Sequence, residues 1–355
     1  MSKSEKKEGT ASFHCPIPIS DYKSVLLAHG SGGKLTNDLI RKMFVPPFRN
    51  EQLENLHDGA ILPSLNGRQL TISTDSFVVN PIFFPGGDIG SLSVHGTVND
   101  IAMCGAEPLY LSVGLIIEEG FPMDDLWTII LSMEKAAKEA GVQVVTGDTK
   151  VVDRGKCDKI FINTTGIGAV WPEMKIGASE IQAGDKIIVS GDIARHGISI
   201  MSVREGLEFE TVIETDSASL HGLVNAMRKK GEIHALRDPT RGGVSSALNE
   251  LAEASGYGIQ IDEENLPIRE QVRGACELLG LDPLYVANEG KLLAFVNSED
   301  ADAVLNAMRA DPLGKEAAVI GEVVEDHPGL VVLNSRIGGR RVVDMITGEQ
   351  LPRIC

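Results

Sequence analysis

Short apolar runs alternate with longer amphipathic runs through most of the 355-residue chain, and this alternation limits the fold more than any other feature. The run at 109–117 is rich in Val, Ile and Leu and has the length of a strand, whereas the run at 123–140 carries apolar residues at helical spacing. Strands that alternate with helices pack as sheets covered by helices. The alternation therefore predicts an α/β or α+β architecture.

Two such series follow each other, which predicts two domains. The first ends near Trp171 and Pro172, where the sequence changes to Pro, Gly and mixed charge, and the second begins at Lys186. The boundaries that we predict are a flexible leader at 1–23, an N-terminal domain at 24–171, a C-terminal α+β domain at 172–335 and a tail at 336–355.

Charge and cysteine content narrow the class of protein. The chain has 50 acidic and 33 basic side chains, a formal net charge of -17, whereas nucleic-acid binding needs clustered basic residues. Its longest apolar stretch is too short to span a bilayer. The five cysteines are scattered without a C-x-x-C pair, which argues against a disulfide framework or a zinc ribbon. We therefore predict a cytoplasmic protein with no nucleic-acid or membrane partner.

Three aspartates lie in strings rich in Ser, Thr or Gly. Asp75 follows the β-type run 70–74, Asp148 follows the run 142–146, and Asp100 lies in VNDIA. Carboxylates at the ends of separate strands can converge at one edge of a sheet, and Mg²⁺ binds such oxygens together with water and phosphate. Each string is also typical of a turn or a helix cap. The residues alone leave both interpretations open.

Two glycine-rich strings are candidates for contact with phosphate. HGSGGK (29–34) leads into a helical run, whose N-terminus favours an anion. In DPTRGGV (238–244), at a predicted strand-to-helix junction, Thr240 and Arg241 can donate hydrogen bonds while the glycines admit a close approach. Neither string is a Walker P-loop. A simple helix-entry turn is the alternative for both.

An acid and a thiol complete the candidates. Glu289 lies beside Gly290 in NEGKLL (288–293), which is typical either of a solvated turn or of a site acid. The chain ends in Cys355, in the string LPRIC. Extended at about 3.3 Å per residue, the last eight residues reach about 26 Å, so this thiol could visit another protein and return to an internal pocket. An incidental cysteine in a frayed end is the alternative.

The strings STDS, GTVND, GDTK, DPTRGG, NEGK and terminal PRIC, in this order, resemble the HypE family of hydrogenase maturation factors, the carbamoyl dehydratases. The wider superfamily comprises aminoimidazole ribonucleotide synthetase, formylglycinamidine synthetase and selenophosphate synthetase. The resemblance covers roughly residues 25 to 355. Its most specific parts are the AHGSGG opening and the terminal PRIC.

The resemblance implies a fold and an assembly. The fold is α+β with α/β layers, the two-domain fold of aminoimidazole ribonucleotide synthetases, with N-domain strands forming a barrel across a homodimer. ATP would lie in the cleft between the domains, close to the dimer interface. The implied partners are a carbamoyltransferase of the HypF type and the iron-carrying HypC–HypD complex.

The resemblance also implies a reaction. The HypF-type partner would place a carbamoyl group on the thiol of Cys355, and ATP would phosphorylate the carbamoyl oxygen. Loss of phosphate then leaves a thiocyanate, the source of the cyanide ligand of the iron in NiFe hydrogenase. Phosphate is a far better leaving group than an amide oxygen, and phosphoryl transfer needs positioning and charge neutralisation above all.

Roles for individual residues follow from the same resemblance. Cys355 would carry the substrate, Glu289 would remove the amide proton and Lys150 would stabilise the developing phosphate charge. His95 and His196 are alternative bases. The acids expected to hold Mg²⁺ are Asp75, Asp100, Asp148 and Asp238. The further residues expected to bind ATP are Gly30, Gly32, Gly33, Lys34, Asn99, Thr149, Thr240, Arg241, Gly242 and Gly243.

Two other functions compete with this one. A selenophosphate or purine-pathway synthetase of the same superfamily would act on small molecules, but selenophosphate synthetases carry a reactive Cys or Sec near the N-terminus. Here Cys15 is the nearest, and it lies outside the glycine-rich string. A non-catalytic scaffold for cyanide delivery would not hydrolyse ATP even with a carbamoylated tail.

Overall fold

The computed structural model describes residues 22–26, 29, 34–50, 67–206, 212–345, 351 and 353–355. Most of the expected leader therefore lies outside the described residues. Among those residues no helix is both long and apolar enough to cross a membrane. The helices are α1 (Lys34–Leu39, continued by a π-helical turn at Ile40–Phe44), α2 (Ile89–Met103), α3 (Met123–Glu139), α4 (Arg195–Arg204), α5 (His221–Met227), α6 (Gly243–Ser255), α7 (Glu270–Leu279) and α8 (Ala301–Ala310).

The strands fall into two sheets and a small hairpin. They are β1 (Leu70–Phe77), β2 (Phe83–Phe84), β3 (Gly87–Asp88), β4 (Ala106–Glu118), β5 (Gln143–Val152), β6 (Ile160–Val170), β7 (Lys186–Val189), β8 (Ile233–Arg237), β9 (Gly258–Asp262), β10 (Leu293–Val296), β11 (Ala318–Val324), β12 (Val331–Asn334) and β13 (Arg340–Val342). The sheet orders are β1-β6-β4-β5 and β13-β12-β9-β11-β7-β10-β8, and β2 pairs with β3. The predicted α+β class is confirmed.

The N-terminal unit (β1–β6 with α2 and α3) is a sheet with helices on one face. Strands β4 and β5 are parallel and α3 connects them, whereas β6 runs antiparallel to both β1 and β4. The apolar stripe of α3, which includes Leu126, Ile129 and Met133, is fully buried. This burial, rather than helix propensity alone, stabilises a helix of this length.

The opposite face of this sheet is open and carries large apolar side chains. Leu70 and Ile72 on β1 are 62% and 70% exposed, and Ile116 on β4 is 44% exposed. Strands β1 and β5 are the two edges of the sheet, and exposed edges and apolar patches are typical of surfaces that meet another chain. The barrel across a homodimer remains a prediction that this surface favours.

The C-terminal unit (β7–β13 with α4–α8) contains a mixed seven-stranded sheet. Strand β10, which lies between β7 and the edge strand β8, is buried along its whole length, and Phe295 packs with Ile187 and Val189 of β7 in the core. Residues 340–342, which we expected in the tail, form the edge strand β13 of this sheet. Only the part of the expected tail after that strand therefore lies outside the sheet.

Two strands extend further than we predicted. Asp75 lies inside β1, where it pairs with Thr164 of β6, and Asp148 lies inside β5, where it pairs with Gly114 of β4. The expectation that these aspartates follow their strands was therefore wrong. Ser, Thr, Asp and Gly favour turns in isolation, but ladder pairing on a neighbouring strand overrides that local preference.

Helix α2 is fixed at its N-terminus by a capping box. The side chain of Asp88 accepts hydrogen bonds from Gly90 N at 2.7 Å and Ser91 N at 3.0 Å. In return Ser91 Oγ accepts from the backbone N–H of Asp88 at 3.2 Å, and Ser132 of α3 also donates to the carboxylate. The cap therefore gives acceptors to the unpaired backbone N–H groups at the start of α2, and it also holds α2 against α3.

Replacement of the cap tests its contribution to stability. We expect Asp88→Ala to lower the free energy of unfolding by about 1–2 kcal/mol, because buried N–H donors lose their acceptor. Asp124→Ala, at the exposed first turn of α3, is the matched control and should lose only about 0.5 kcal/mol of dipole interaction. Urea unfolding followed by circular dichroism measures both. Equal losses in the two variants would contradict this role of the cap.

Candidate active site

The candidate site lies where α2 meets loops of the C-terminal unit. Asn99 Nδ2 on α2 donates hydrogen bonds to the carbonyl of Ala218 at 2.9 Å and to that of Glu289 at 3.2 Å. Its Oδ1 accepts from the N–H of Leu220 at 2.8 Å. Asn99, which we expected to bind ATP, thus uses its amide group to join the two units and to hold the Glu289 loop.

The Glu289 loop is buried and rigidly held. A Cβ at Gly290 would lie 1.7 Å from the carbonyl oxygen of Asp216, so the close approach requires glycine. Asp216 Oδ1 accepts from the N–H of Glu289 at 3.1 Å, and Lys291 Nζ lies 3.6 Å from Asp216 Oδ2. Glu289 and Lys291 are only 3% and 5% exposed, which excludes the solvated turn that the sequence left open.

Acidic side chains from both units surround Glu289. Burial, together with the negative charge of Asp100, raises the pKa of Asp238 to about 7. Burial also raises the pKa of Glu289 well above its usual range, with Asp238 and Asp216 as the next contributions. The pKa values of Asp75 and Asp100 are raised, mainly by burial. The mutual effects show that these carboxyls lie within electrostatic range of one another.

The terminal cysteine lies at this cluster. Arg241 Nη2 is 3.6 Å from Cys355 Sγ. Burial raises the pKa of the Cys355 thiol to about 12, and Glu289 raises it while Arg241 lowers it. The end of the chain is therefore docked at the acid cluster and is not the frayed end that the sequence left as an alternative. Cys355, Glu289 and Arg241, which belong to three distant parts of the sequence, are brought together by the fold.

Neither histidine that we considered as a base faces the thiol. His95 Nδ1 pairs with Ser217 Oγ at 2.9 Å, and burial lowers the pKa of His95 to about 4. His196 Nε2 lies 3.0 Å from the carbonyl oxygen of Ile354, and its Nδ1 lies 2.7 Å from Thr215 Oγ1. His196 is thus a contact of the tail backbone, a role that no sequence pattern indicated.

Asp148 and Lys150 lie elsewhere in the chain. They pair with each other at 2.7 Å on the open face of β5, and the hydrogen bond from Lys150 lowers the pKa of Asp148. Asp148 pairs with Gly114 of β4, which pairs with Asn163 of β6, which in turn pairs with Ser76 of β1. Asp148 is therefore three strands, roughly 14 Å, from β1. It shares a face of the sheet with Ser76, and the adjacent residue Asp75 points to the opposite face. One chain therefore does not bring them to Cys355.

Thr149 also lies away from the cluster. It is 8% exposed and points to the helix-covered face of β5. Of the acids expected to hold a metal, the chain brings together Asp75, Asp100 and Asp238.

The two glycine-rich strings have different outcomes. Gly30, Gly32 and Gly33 lie outside the described residues, and Lys34 begins α1 with its side chain outside them. DPTRGGV forms the predicted strand-to-helix junction, with β8 ending at Arg237 and α6 beginning at Gly243.

The glycine pair of that junction has a structural cause. Gly242 and Gly243 have positive φ angles of 78° and 63°, and a Cβ at Gly243 would lie 2.6 Å from the carbonyl oxygen of Leu284. The turn therefore requires glycine for its own packing, and it presents Thr240 and Arg241 at the end of β8.

The donor set suits magnesium bound together with phosphate. Within the described part of the chain, no three His, Cys, Asp or Glu side chains are placed to hold one ion by themselves. Mg²⁺, however, is usually held by one or two carboxylates together with water and phosphate oxygens. Glu289 Oε1 is a buried carboxylate oxygen without a hydrogen-bond partner among the described residues, which indicates that this site is built to receive another polar group.

The raised thiol pKa predicts how docking depends on pH. Because the docked state holds its proton more tightly, docking is strongest below the ordinary thiol pKa of about 8.5 and weakens as pH rises from there toward 12. Site-resolved alkylation of Cys355 should therefore keep accelerating above pH 9, whereas the free peptide Leu-Pro-Arg-Ile-Cys should level off. Coincident pH profiles for protein and peptide would contradict the buried environment of the thiol.

Two protein-family models match the chain, and the boundary between them agrees with the boundary between its two sheets. Residues 56–170 match the family of AIR synthase related proteins, N-terminal domain, and residues 182–333 match the corresponding C-terminal domain. These two matches together cover most of the chain. They place the four-stranded sheet in the first domain and most of the seven-stranded sheet in the second.

Individual proteins match this chain over nearly its whole length. The chain is 55% identical over 333 residues to carbamoyl dehydratase HypE of Azotobacter vinelandii, covering 94% of this chain and 97% of that protein. A crystal structure of the hydrogenase maturation protein HypE in complex with ATP superposes with a TM-score of 0.90 at 50% identity, covering 93% and 99% of the two chains. A crystal structure of a HypE–HypF complex superposes with a TM-score of 0.77 at 48% identity, covering 87% and 99%.

Proposed function

Because the chain belongs to the HypE family of carbamoyl dehydratases, we propose that it dehydrates a carbamoyl group on its own Cys355 to a thiocyanate at the expense of ATP. The observation that carries this proposal is the docking of Cys355 at a buried acid cluster between the two units.

The proposed reaction has two steps. The oxygen of the Cys355 S–CO–NH₂ group attacks the γ-phosphorus of ATP, ADP leaves, and the amide nitrogen loses one proton. The carbon–oxygen bond then breaks with its electrons going to phosphate, and the nitrogen loses its second proton to give S–C≡N. The net change is loss of one water from the carbamoyl group, balanced by hydrolysis of ATP to ADP and phosphate.

Glu289 is the residue that we assign to proton removal. Its carboxyl is 3% exposed and raises the pKa of the Cys355 thiol through its charge, so it lies near the group that reacts. A carboxylate with a raised pKa is a stronger base once ionised. Arg241, beside Sγ, is placed to stabilise negative charge that develops on the substrate.

Asp75, Asp100 and Asp238 are the acids that would hold Mg²⁺ in this site. The ion would neutralise charge on the transferring phosphoryl group. Each of the three has a raised pKa in the chain alone, which is the state of crowded carboxyls that a cation would relieve. Thr240, Gly242 and Gly243 at the end of β8 would line the nucleotide side of the cleft.

The docked thiol is not the form that accepts the carbamoyl group. With a pKa near 12 it is almost fully protonated at neutral pH, and the thiolate is the nucleophile. We infer that a HypF-type carbamoyltransferase loads Cys355 when the tail is undocked, a partnership supported by the similarity to a HypE–HypF complex. The thiocyanate would then pass to an iron-carrying HypC–HypD complex. Mg-ATP would be the cofactor of the dehydration, and the reaction would take place in the cytoplasm.

A homodimer is the arrangement through which β5 can contribute. Within one chain Asp148 and Lys150 face away from the cluster, and the open apolar face and free edges of this sheet favour pairing with a second copy. We propose that Lys150 of the partner subunit stabilises phosphate charge at each site and that Asp148 of the partner subunit and Thr149 support the nucleotide.

Mass spectrometry of the intact protein tests the reaction. After a HypF-type donor system has loaded the protein, adding Mg-ATP should remove about 18 Da, the mass of one water. Glu289→Gln should slow this step about 100-fold or more while ATP affinity is kept, because Gln cannot take the proton. Cys355→Ala should gain no carbamoyl mass. Thiocyanate on Cys355→Ala protein, or an undiminished rate in Glu289→Gln, would contradict the assignments.

Mixed dimers test the contribution of β5 across the interface. Lys150→Ala and Cys355→Ala should each be inactive as homodimers. Unfolding and refolding the two variants together should restore turnover, because one site of a mixed dimer combines an intact Lys150 with an intact Cys355. Turnover that recovers toward about one quarter of the wild-type value would fit one good site in half of the dimers. No recovery above the two separate variants would place Lys150 outside the partner's site.

A further inference from the structure

We propose that His196 and Arg204 are positioning residues that hold the tail at the active site by the backbone carbonyls of Arg353 and Ile354. This inference deepens the proposed function, since it names the residues that present Cys355 to the acid cluster. Neither residue contacts the thiol, so the proposal concerns how the substrate group is held and not the chemistry performed on it.

The tail extends the backbone pairing of the segment that follows β1. The N–H of Val78 donates to a terminal oxygen of Cys355 at 3.1 Å, and the N–H of Asn80 donates to the carbonyl of Arg353 at 3.2 Å. The side chain between them, Ile354, is 4% exposed and packs in the core of the N-terminal unit. This alternation of backbone pairing and a buried side chain is the recognition mode of an added β-strand.

His196 supplies the hydrogen bond that this pairing leaves unmade. The carbonyl of Ile354 can only accept, so Nε2 at 3.0 Å must carry the hydrogen. Thr215 Oγ1 already accepts from the N–H of Ser217 at 3.1 Å and can donate its hydroxyl hydrogen to Nδ1 of His196 at 2.7 Å. The hydroxyl of Thr215 therefore supports the neutral tautomer of His196 that donates to the tail.

Arg204 holds the other carbonyl. Its guanidinium donates to the carbonyls of Asn80 and Arg353 together, so it bridges the tail and the strand-like segment beside it. Arg353 has a φ of 55°, a left-handed conformation that residues with a side chain rarely adopt. Its side chain pairs with Asp158 and donates to the carbonyl of Val78 at 3.0 Å. These contacts maintain a bend that aims Sγ at the cluster.

The arrangement has a consequence for the reaction cycle. Every contact named here is made to the backbone or to the side chains of Arg353 and Ile354, and Sγ is the atom that gains and loses groups. Thiol, carbamoyl and thiocyanate forms of the tail should therefore dock through the same hydrogen bonds.

Alkylation of Cys355 in the full-length protein tests the proposal without any turnover. The amide of Gln can occupy the position of Nε2 and still donate to the tail, whereas that of Asn is too short. We expect His196→Asn to raise the rate of Cys355 labelling by iodoacetamide on the order of tenfold, the effect of one lost buried hydrogen bond, and His196→Gln to stay within about twofold of wild type. Arg204→Lys should raise the rate several-fold, because one ammonium cannot bridge both carbonyls.

Cys276 is the internal control for folding. It is 1% exposed in α7, in the apolar cluster against which Leu351 of the tail packs, so its labelling rate reports whether the C-terminal unit around the tail has loosened. The proposal is supported if Cys355 labelling rises in His196→Asn while that of Cys276 does not. Equal labelling of Cys355 in the Asn and Gln variants, or an unprotected Cys355 in the wild type, would overturn it. Failure of ATP-dependent dehydration would leave this result unaffected and would count only against the proposed function.

Discussion

The hydrogen bonds of Asn99 across the boundary between the two units are the contacts on which the site depends. Through them α2, capped by Asp88, holds the Glu289 loop and the segment around Ala218 in fixed positions. Asp216 also holds this loop by accepting a hydrogen bond from the N–H of Glu289. Gly290 lets the loop approach the backbone of Asp216 more closely than any residue with a side chain could. A catalytic carboxyl on a loop is positioned accurately only when such surrounding contacts restrain it.

Crowding of acids gives the site its chemical character. Asp75, Asp100, Asp238 and Glu289 approach one another in a region of low solvent access, and their pKa values are raised as a result. The same environment suppresses ionisation of the Cys355 thiol. One location therefore favours cation-assisted chemistry on a group already attached to sulfur and disfavours nucleophilic attack by the free thiol. In the proposed reaction, loading and dehydration would thereby be separated in space.

Sequence patterns predicted the local structure around some of the candidate site residues and missed it around others, for physical reasons. The DPTRGG turn could be predicted because glycine pairs at a strand-to-helix junction reflect local backbone needs. Asp75 and Asp148 were misplaced relative to their strands, because β pairing depends on residues far away in sequence. His196 and Arg204 were missed as tail contacts, since they bind backbone carbonyls, which carry no sequence signal.

The alternation of apolar periods in the sequence limited the fold to α/β or α+β, and short strings in a fixed order that end in PRIC determined the family and with it the α+β class. Those features are local, so each can be recognised without knowing its neighbours in space. Only the tertiary structure decided that Cys355 is docked beside Glu289 and Arg241, and that Asp148 and Lys150 lie on the opposite face of the sheet. Which side chains meet depends on strand order and on the face that each residue takes, and these are set by the packing of the whole chain.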